Sequence, residues 1–294
     1  MMRLGILLLT ASLWLLSVDS ATAQVFRSAS DDLSTLRDSV ENGSESARRR
    51  RTQADEQAEK AQTKACEPDE PVELPIFGEI LGHGVIALIG GPFVLPHLAL
   101  NDDLYDTTYF PDYPYDNDEG SLIVYEYKGD KGKDFASRFQ VFNVTDFDDL
   151  NRVQFRLQAD HANRIGVDTE AGWWQQKFPS STDDLWLGDF NLTYRFAQSE
   201  HVQFRTGLGA NWLADSGRSD IGINFTYQVD LFPVRPWTIS ALMDAGSLGH
   251  AGLFHGRTTF GVMLRQFEAF MGYDYFRLGD FQTHGLLSGV ALHF

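Results

Sequence analysis

The chain has 294 residues, 22% charged and 43% hydrophobic, with 24 Lys+Arg against 41 Asp+Glu and a formal net charge of −17. That length allows one large domain or two ordinary ones, and that composition excludes a wholly disordered chain. Nucleic acid is not an expected partner, since phosphate binding needs clustered cations and none form a groove here. The single cysteine, Cys66, excludes an intramolecular disulfide framework and any multi-cysteine metal site, and no cofactor is expected.

Residues 1–23 read as a secretory signal peptide. Arg3 supplies the basic start, Leu4 to Leu16 an almost unbroken apolar run, and Ala21-Thr22-Ala23 a small-x-small cleavage site before Gln24. The run is short for a membrane span of about 20 residues. No cysteine stands at the cleavage site for a lipid anchor, and Cys66, after Lys64-Ala65, is in no better context.

Residues 24–75 read as a polar leader, disordered or partly helical, because so few apolar residues cannot offset the entropy of ordering. Charge pairs at i,i+4 allow a solvated helix around Glu45 to Lys64. The run Arg48, Arg49, Arg50 and Arg51 is a candidate contact for an anionic cell-wall polymer or lipid headgroup.

Residues 76–136 form an irregular segment. Ile80 to Leu100 is apolar, yet Gly90-Gly91-Pro92 breaks it, which argues against a spanning helix and for a buried strand or a short segment packed on the main domain. His83 and His97 lack an evident third ligand, so no metal is assigned to them. Asp116-Asn117-Asp118-Glu119-Gly120 offers clustered oxygens but lacks the spacing of a helix-flanked calcium loop, and a solvated loop is the expectation.

Residues 137–294 are strongly periodic. Val202, Phe204, Thr206, Leu208, Ala210 and Trp212 alternate with Gln203, Arg205, Gly207, Gly209 and Asn211, and Ile221 to Leu231 repeats the pattern. A period of two over about 12 residues means strand. Ten such runs are counted, with no helix-period segment among them. The expected fold is all-β: an antiparallel up-and-down transmembrane barrel of about ten strands. A soluble barrel would use the same pattern inside out, as a carrier of an apolar ligand. Strands long enough to cross a bilayer, the export signal, glycines on the polar face and aromatic residues near strand ends favour the membrane form. Those aromatics are Trp173, Tyr194, Phe196, Trp212, Trp237 and Phe294. Links at 161–163, 198–200, 233–236 and 266 are short, while those at 174–184, 213–219, 246–252 and 278–281 read as mostly longer outer loops.

The last ten residues, Gly285-Leu286-Leu287-Ser288-Gly289-Val290-Ala291-Leu292-His293-Phe294, resemble the final strand of bacterial outer-membrane barrels. In that class a C-terminal aromatic with apolar residues at alternate positions is the insertion signal. The resemblance covers roughly Ser137 to Phe294 and names no subfamily. It implies a Gram-negative-type outer membrane as location, with the bilayer and the outer-membrane insertion machinery, read through Phe294, as partners.

Two enzymatic barrel families are also comparable. Omptin-like proteases use loop Asp pairs with an Asp-x-His unit; Asp183-Asp184 is present here, but the Asp-x-His is absent. Barrel lipid deacylases use His-x-Ser, whereas His255 precedes Gly256-Arg257 and His284 precedes Gly285-Leu286. No base stands out with a partner in reach, so a non-enzymatic role is expected, with a membrane-embedded hydrolase as the alternative. The polar face carries Arg152, Arg156, Arg195, Arg205, Arg257 and Arg265 with Asp168, Glu170, Asp189, Asp230, Asp244, Glu268 and Asp274. Opposite charges sharing a narrow interior can pair, so the expected role is structural or narrow passage rather than a wide pore.

Overall fold

Alternating side chains produce ten strands that close on themselves. They are β1 (Phe135–Thr145), β2 (Leu150–His161), β3 (Ile165–Lys177), β4 (Thr182–Gln198), β5 (Val202–Asp215), β6 (Arg218–Val234), β7 (Trp237–Leu248), β8 (Ala251–Leu264), β9 (Phe267–Leu278) and β10 (Phe281–His293). In the computed structural model each strand pairs antiparallel with the next, and β1 pairs with β10 through Phe139↔Leu292 and Val141↔Val290, so no edge is left open. The residues described are 32–43, 91–100, 102, 107–116, 120–123, 132–146, 149–178 and 181–294. Residues 1–23, expected to be a signal peptide, the region Glu45 to Lys64 with its four arginines, Cys66, His83 and Asn117 to Glu119 lie outside them.

The faces are the reverse of a soluble apolar-ligand carrier. Leu192, Leu208, Ile221, Ile223, Phe260, Met271 and Val290 stand exposed on the outer wall, while Arg152, Arg156, Asp230, Arg257 and Asp274 are buried inside. The charged layers are the reverse of the apolar lining that a carrier of a lipophilic guest would need.

The expected contrast between short and long links is not present. At the end carrying Phe135 and Phe294, here called proximal, the links are 162–164, 199–201, 235–236 and 265–266. At the distal end they are 146–149, 178–181, 216–217, 249–250 and 279–280. The supposed outer loops are strand: Trp174 pairs with Leu185 and Gln176 with Asp183. Alternation simply continues past the apolar belt, and β4 and β6 reach 17 residues each.

Among the described residues three further parts lie outside the strands: a helix over residues 91–100 on the outer wall, a helix at the distal mouth and a cap at the proximal end. Helix α1 (Asp32–Asn42) is the helical part of the leader. Leu33, Leu36 and Val40 recur at helical spacing and are buried among Leu150, Trp174, Leu185, Leu213, Leu248 and Phe276, all inside the distal mouth. Gly43, at φ +70°, ends α1 with its N–H donated to the Ser39 carbonyl at 2.9 Å. At the opposite end, Tyr109 bridges Ile123 and Phe110 bridges Lys133. Ser121 N–H donates to Glu200 O at 2.9 Å, and Tyr115 packs on Phe232 and Met263. Burial pushes the Tyr115 phenol up to about 12, so it stays protonated and donates to Trp237 O at 2.7 Å.

Close strand approach explains the inward glycines. A Cβ at Gly209 would lie 1.9 Å from the Phe190 carbonyl and 2.5 Å from Asn191 Oδ1, whereas one at Gly252 would meet nothing within 4 Å. Gly209→Ala is therefore expected to lower stability by about 1–3 kcal/mol, as overpacking does, and Gly252→Ala by much less. Unfolding midpoints in detergent measure the difference; equal midpoints would refute the close packing.

Candidate functional site

The interior of the barrel is a column of charged side chains contributed by nearly every strand. Its proximal layer centres on Asp230, which meets Arg205 at 2.9 Å and Arg138 at 3.3 Å and accepts from Gln228 and Ser240. Arg205 also reaches Asp160 at 3.1 Å, and Glu268 pairs with His293 at 2.8 Å while accepting from Thr238. In the middle layer Arg156 grips Asp168 with both ends of its fork, one contact at 2.8 Å, and donates to Gln228 at 2.7 Å. Gln228 thus ties the two layers together.

The third layer centres on Asp274, which is completely buried. It takes Arg152 at 2.9 Å, Arg257 at 2.9 Å and His255 at 2.9 Å, while His255 bridges on to Asp244 at 3.0 Å. Arg257 adds a bidentate contact to Glu170 at 2.6 and 2.9 Å and donates to Gln154 at 2.7 Å. Bidentate arginine–carboxylate pairs satisfy several donors at once, which makes burial of the charges tolerable. Above this layer the lining turns apolar: Arg152 stacks 4.6 Å from the Trp174 ring, and Trp174 lies 5.0 Å from Phe276. Helix α1 closes the top.

Eleven of the thirteen charges assigned to the polar face lie in this column, although Asp189, half-buried, accepts only from Asn191 at 2.7 Å. Two do not. Arg265 is exposed, at φ +58°, in the two-residue link between β8 and β9; β8 ends at Leu264, and the inward position before it is Met263. Arg195 is buried at the proximal rim. A register shift between Arg195 and Ala197 breaks the alternation there, and its guanidinium donates to His161 O at 2.6 Å and sits 4.6 Å from the Phe110 ring.

Sequence reasoning left out Arg138, Asp160, His255 and His293 as partners. All four share the parity of the inward positions, and Arg138, Asp160 and His293 already lie within the periodic runs; His255 needs β8 extended to its start at Ala251. It also left out two clasps made by the non-barrel segments, for which no periodic signal exists. Arg164 binds Asp102 at 2.7 Å through each amino group. Arg37 of α1 pairs with Asp183 and, at 2.5 Å, with Asp215, and these carboxylates raise the Arg37 pKa beyond its ordinary value. Asp183 is thus engaged, and Asp184 accepts the Trp173 indole at 3.3 Å, so the adjacent pair does not form an open dyad. Phe196 and Phe204 are covered rather than exposed, because the segment 91–100 lies over them.

The molecule is therefore a closed ten-strand antiparallel barrel with a charge-filled interior. No family model matches the chain, and no curated protein does. Solved structures similar to it include a NanC porin, 9% identical with a TM-score of 0.36, covering 53% of this chain and 98% of that one. The KdgM porin is 13% identical with a TM-score of 0.27, covering 54% of this chain and 99% of that one.

Arg257 contacts two carboxylates, so Arg257→Ala leaves Glu170 without its cation and Asp274 with Arg152 and His255 alone. We expect a loss of roughly 3–5 kcal/mol, against a much smaller effect for Arg218→Ala, whose partners Glu41 and Asp220 lie at the surface. Comparing unfolding midpoints in detergent checks this; similar values for the two variants would show that the column contributes nothing specific.

Proposed function

We propose that this chain is an outer-membrane barrel of a Gram-negative-type bacterium whose lumen is closed by charge pairing, with a structural or narrow-passage role and no catalytic one. The outer wall supports the membrane location: exposed Leu192, Leu208, Ile221, Ile223, Met271 and Val290 make a belt that only lipid would cover. Trp237 and Tyr194 stand exposed near its proximal rim, where interfacial aromatics belong, and Phe294 ends the chain beside them. Insertion through the outer-membrane machinery and export by a cleaved signal peptide are parts of the same proposal, as is contact of Arg48 to Arg51 with cell-wall polymer or headgroups.

One observation carries the closed reading. The interior cavity among Arg138, Gln140, Arg156, Gln228 and Arg257 measures only about 10 Å³. At the proximal mouth a second, bounded by Tyr113, Pro114 and Phe294, measures about 60 Å³. Neither admits more than a few waters, so a solute passes only if the column or α1 moves.

Planar-bilayer recording on the purified full chain tests this. The parent is expected to conduct little or nothing, and Arg257→Ala combined with Leu36→Asp, which loosens column and cork together, to conduct severalfold more. A large steady conductance in the parent, unchanged by the substitutions, would overturn the closed reading. For the membrane reading, Leu208→Arg places a charge at mid-belt and should cost about 2–4 kcal/mol of barrel stability. Folding and insertion of that variant equal to the parent's would mean the outer wall does not face lipid.

A further inference from the structure

We propose that residues 91–100 form a second membrane contact: a short helix lying along the outer wall, its free face immersed in the proximal leaflet of the bilayer. The inference rests on the membrane reading of the barrel given above. The segment runs Gly-Pro-Phe-Val-Leu-Pro-His-Leu-Ala-Leu, with no charged residue and His97 half-buried.

One side of it is fastened to the barrel. Phe93 packs against Phe196 at 5.2 Å and Tyr227 at 5.8 Å between ring centroids, and the Tyr227 hydroxyl donates to Pro92 O at 2.8 Å. Just beyond the helix, Asp102 is held by the Arg164 guanidinium and by Gln198 N–H at 3.0 Å. The segment is thus tied at both ends, to the proximal half of the wall formed by β4, β5 and β6.

Its other side has no protein partner among the described residues. Val94, Leu95 and Leu98 are 53%, 62% and 64% exposed, as open as the belt residues around them. In water such a face would be a liability. What covers it follows from continuity. Phe225 and Tyr227, on which Phe93 rests, belong to the same outward face of β6 as Ile221 and Ile223, so the free face of the helix extends the belt sideways rather than interrupting it. Lipid that covers Ile223 and Leu208 must also meet Leu95 and Leu98. The arrangement is an in-plane apolar helix, but one seated on a barrel instead of floating free.

Site-directed spin labelling of the full chain in lipid vesicles tests the proposal. On a Cys66→Ser background, labels would be placed by Leu95→Cys and Leu98→Cys, with Leu208→Cys as the belt reference and Ser216→Cys, in an exposed distal link, as the water reference. At positions 95 and 98 collisions with oxygen should exceed those with a water-soluble nickel chelate, as at position 208 and opposite to position 216. Nickel-dominated signals at 95 and 98, with 208 still oxygen-dominated, would overturn the helix proposal and leave the barrel reading standing. Low accessibility to both reagents at 95 and 98 would also overturn it, because protein, a second copy or another partner, would then cover the face. Nickel-dominated signals at 208 would remove the membrane reading and the proposal with it.

Discussion

Everything inside this molecule follows from closing ten alternating strands. The closure delivers every second side chain of every strand into a space too narrow for bulk water. A charge carried there loses its hydration, which costs several kcal/mol per ion unless a partner repays it at once. The interior meets that demand by sharing: Asp274 serves two arginines and a histidine, and Asp230 two arginines, a glutamine and a serine. The inward glycines belong to the same closure, since at Gly209 and Gly272 the neighbouring strand's backbone stands where a side chain would begin. Because Asp230 and Asp274 each serve several donors, the layers around them are networks rather than sets of independent pairs.

The charged column also dictates how the ends are made. At the distal end the inward positions change from charged to apolar, with Trp174, Leu185, Leu213, Leu248 and Phe276 forming a ring that accepts Leu33, Leu36 and Val40 of α1. An apolar stopper can be seated there without introducing a further buried charge, and Arg37 clasps the rim at Asp183 and Asp215. At the proximal end closure is looser. Phe110, Tyr113 and Ser121 lie across the mouth and leave the larger of the two cavities beneath them.

Much of the barrel was legible in the sequence, because a period of two is a direct consequence of strand geometry and needs no tertiary information. Strand number, facing and most of the column followed from parity alone. What parity could not supply were strand ends. Polar residues such as Gln175, Gln176 and Asp183 read as loop because beyond the apolar belt the pattern reverses, with apolar Trp174 and Leu185 turned inward and the outer face meeting water. The same cause misplaced Arg265, whose parity is right although its strand has already ended, while Arg195, the last inward residue of β4 before its register shift, reaches only the rim. The docking of α1 was illegible for another reason: three apolar residues in eleven look like a polar leader until the ring that receives them is known. Likewise Phe196 and Phe204 carry outward parity, and nothing in their own strands tells that residues 91–100 lie across them.

A barrel that is filled and a barrel that conducts differ in what a charge on the lining is for. In an open lumen like charges line a surface and stay hydrated, so each acts on a passing solute and little on its neighbours. Here most acids and bases stand within hydrogen-bond distance of each other, and such pairs cancel much of their field over a few ångströms, while Asp189 meets only Asn191. A lining that has spent its charge on itself selects weakly among ions and resists entry of water. On the closed reading proposed above, the described interior offers ties that rigidify the wall, at the layers of Asp230, Asp168 and Asp274. The geometry therefore gives this barrel its identity through what it presents at its rims and on its outer wall, where α1, the proximal segment and the exposed belt all lie.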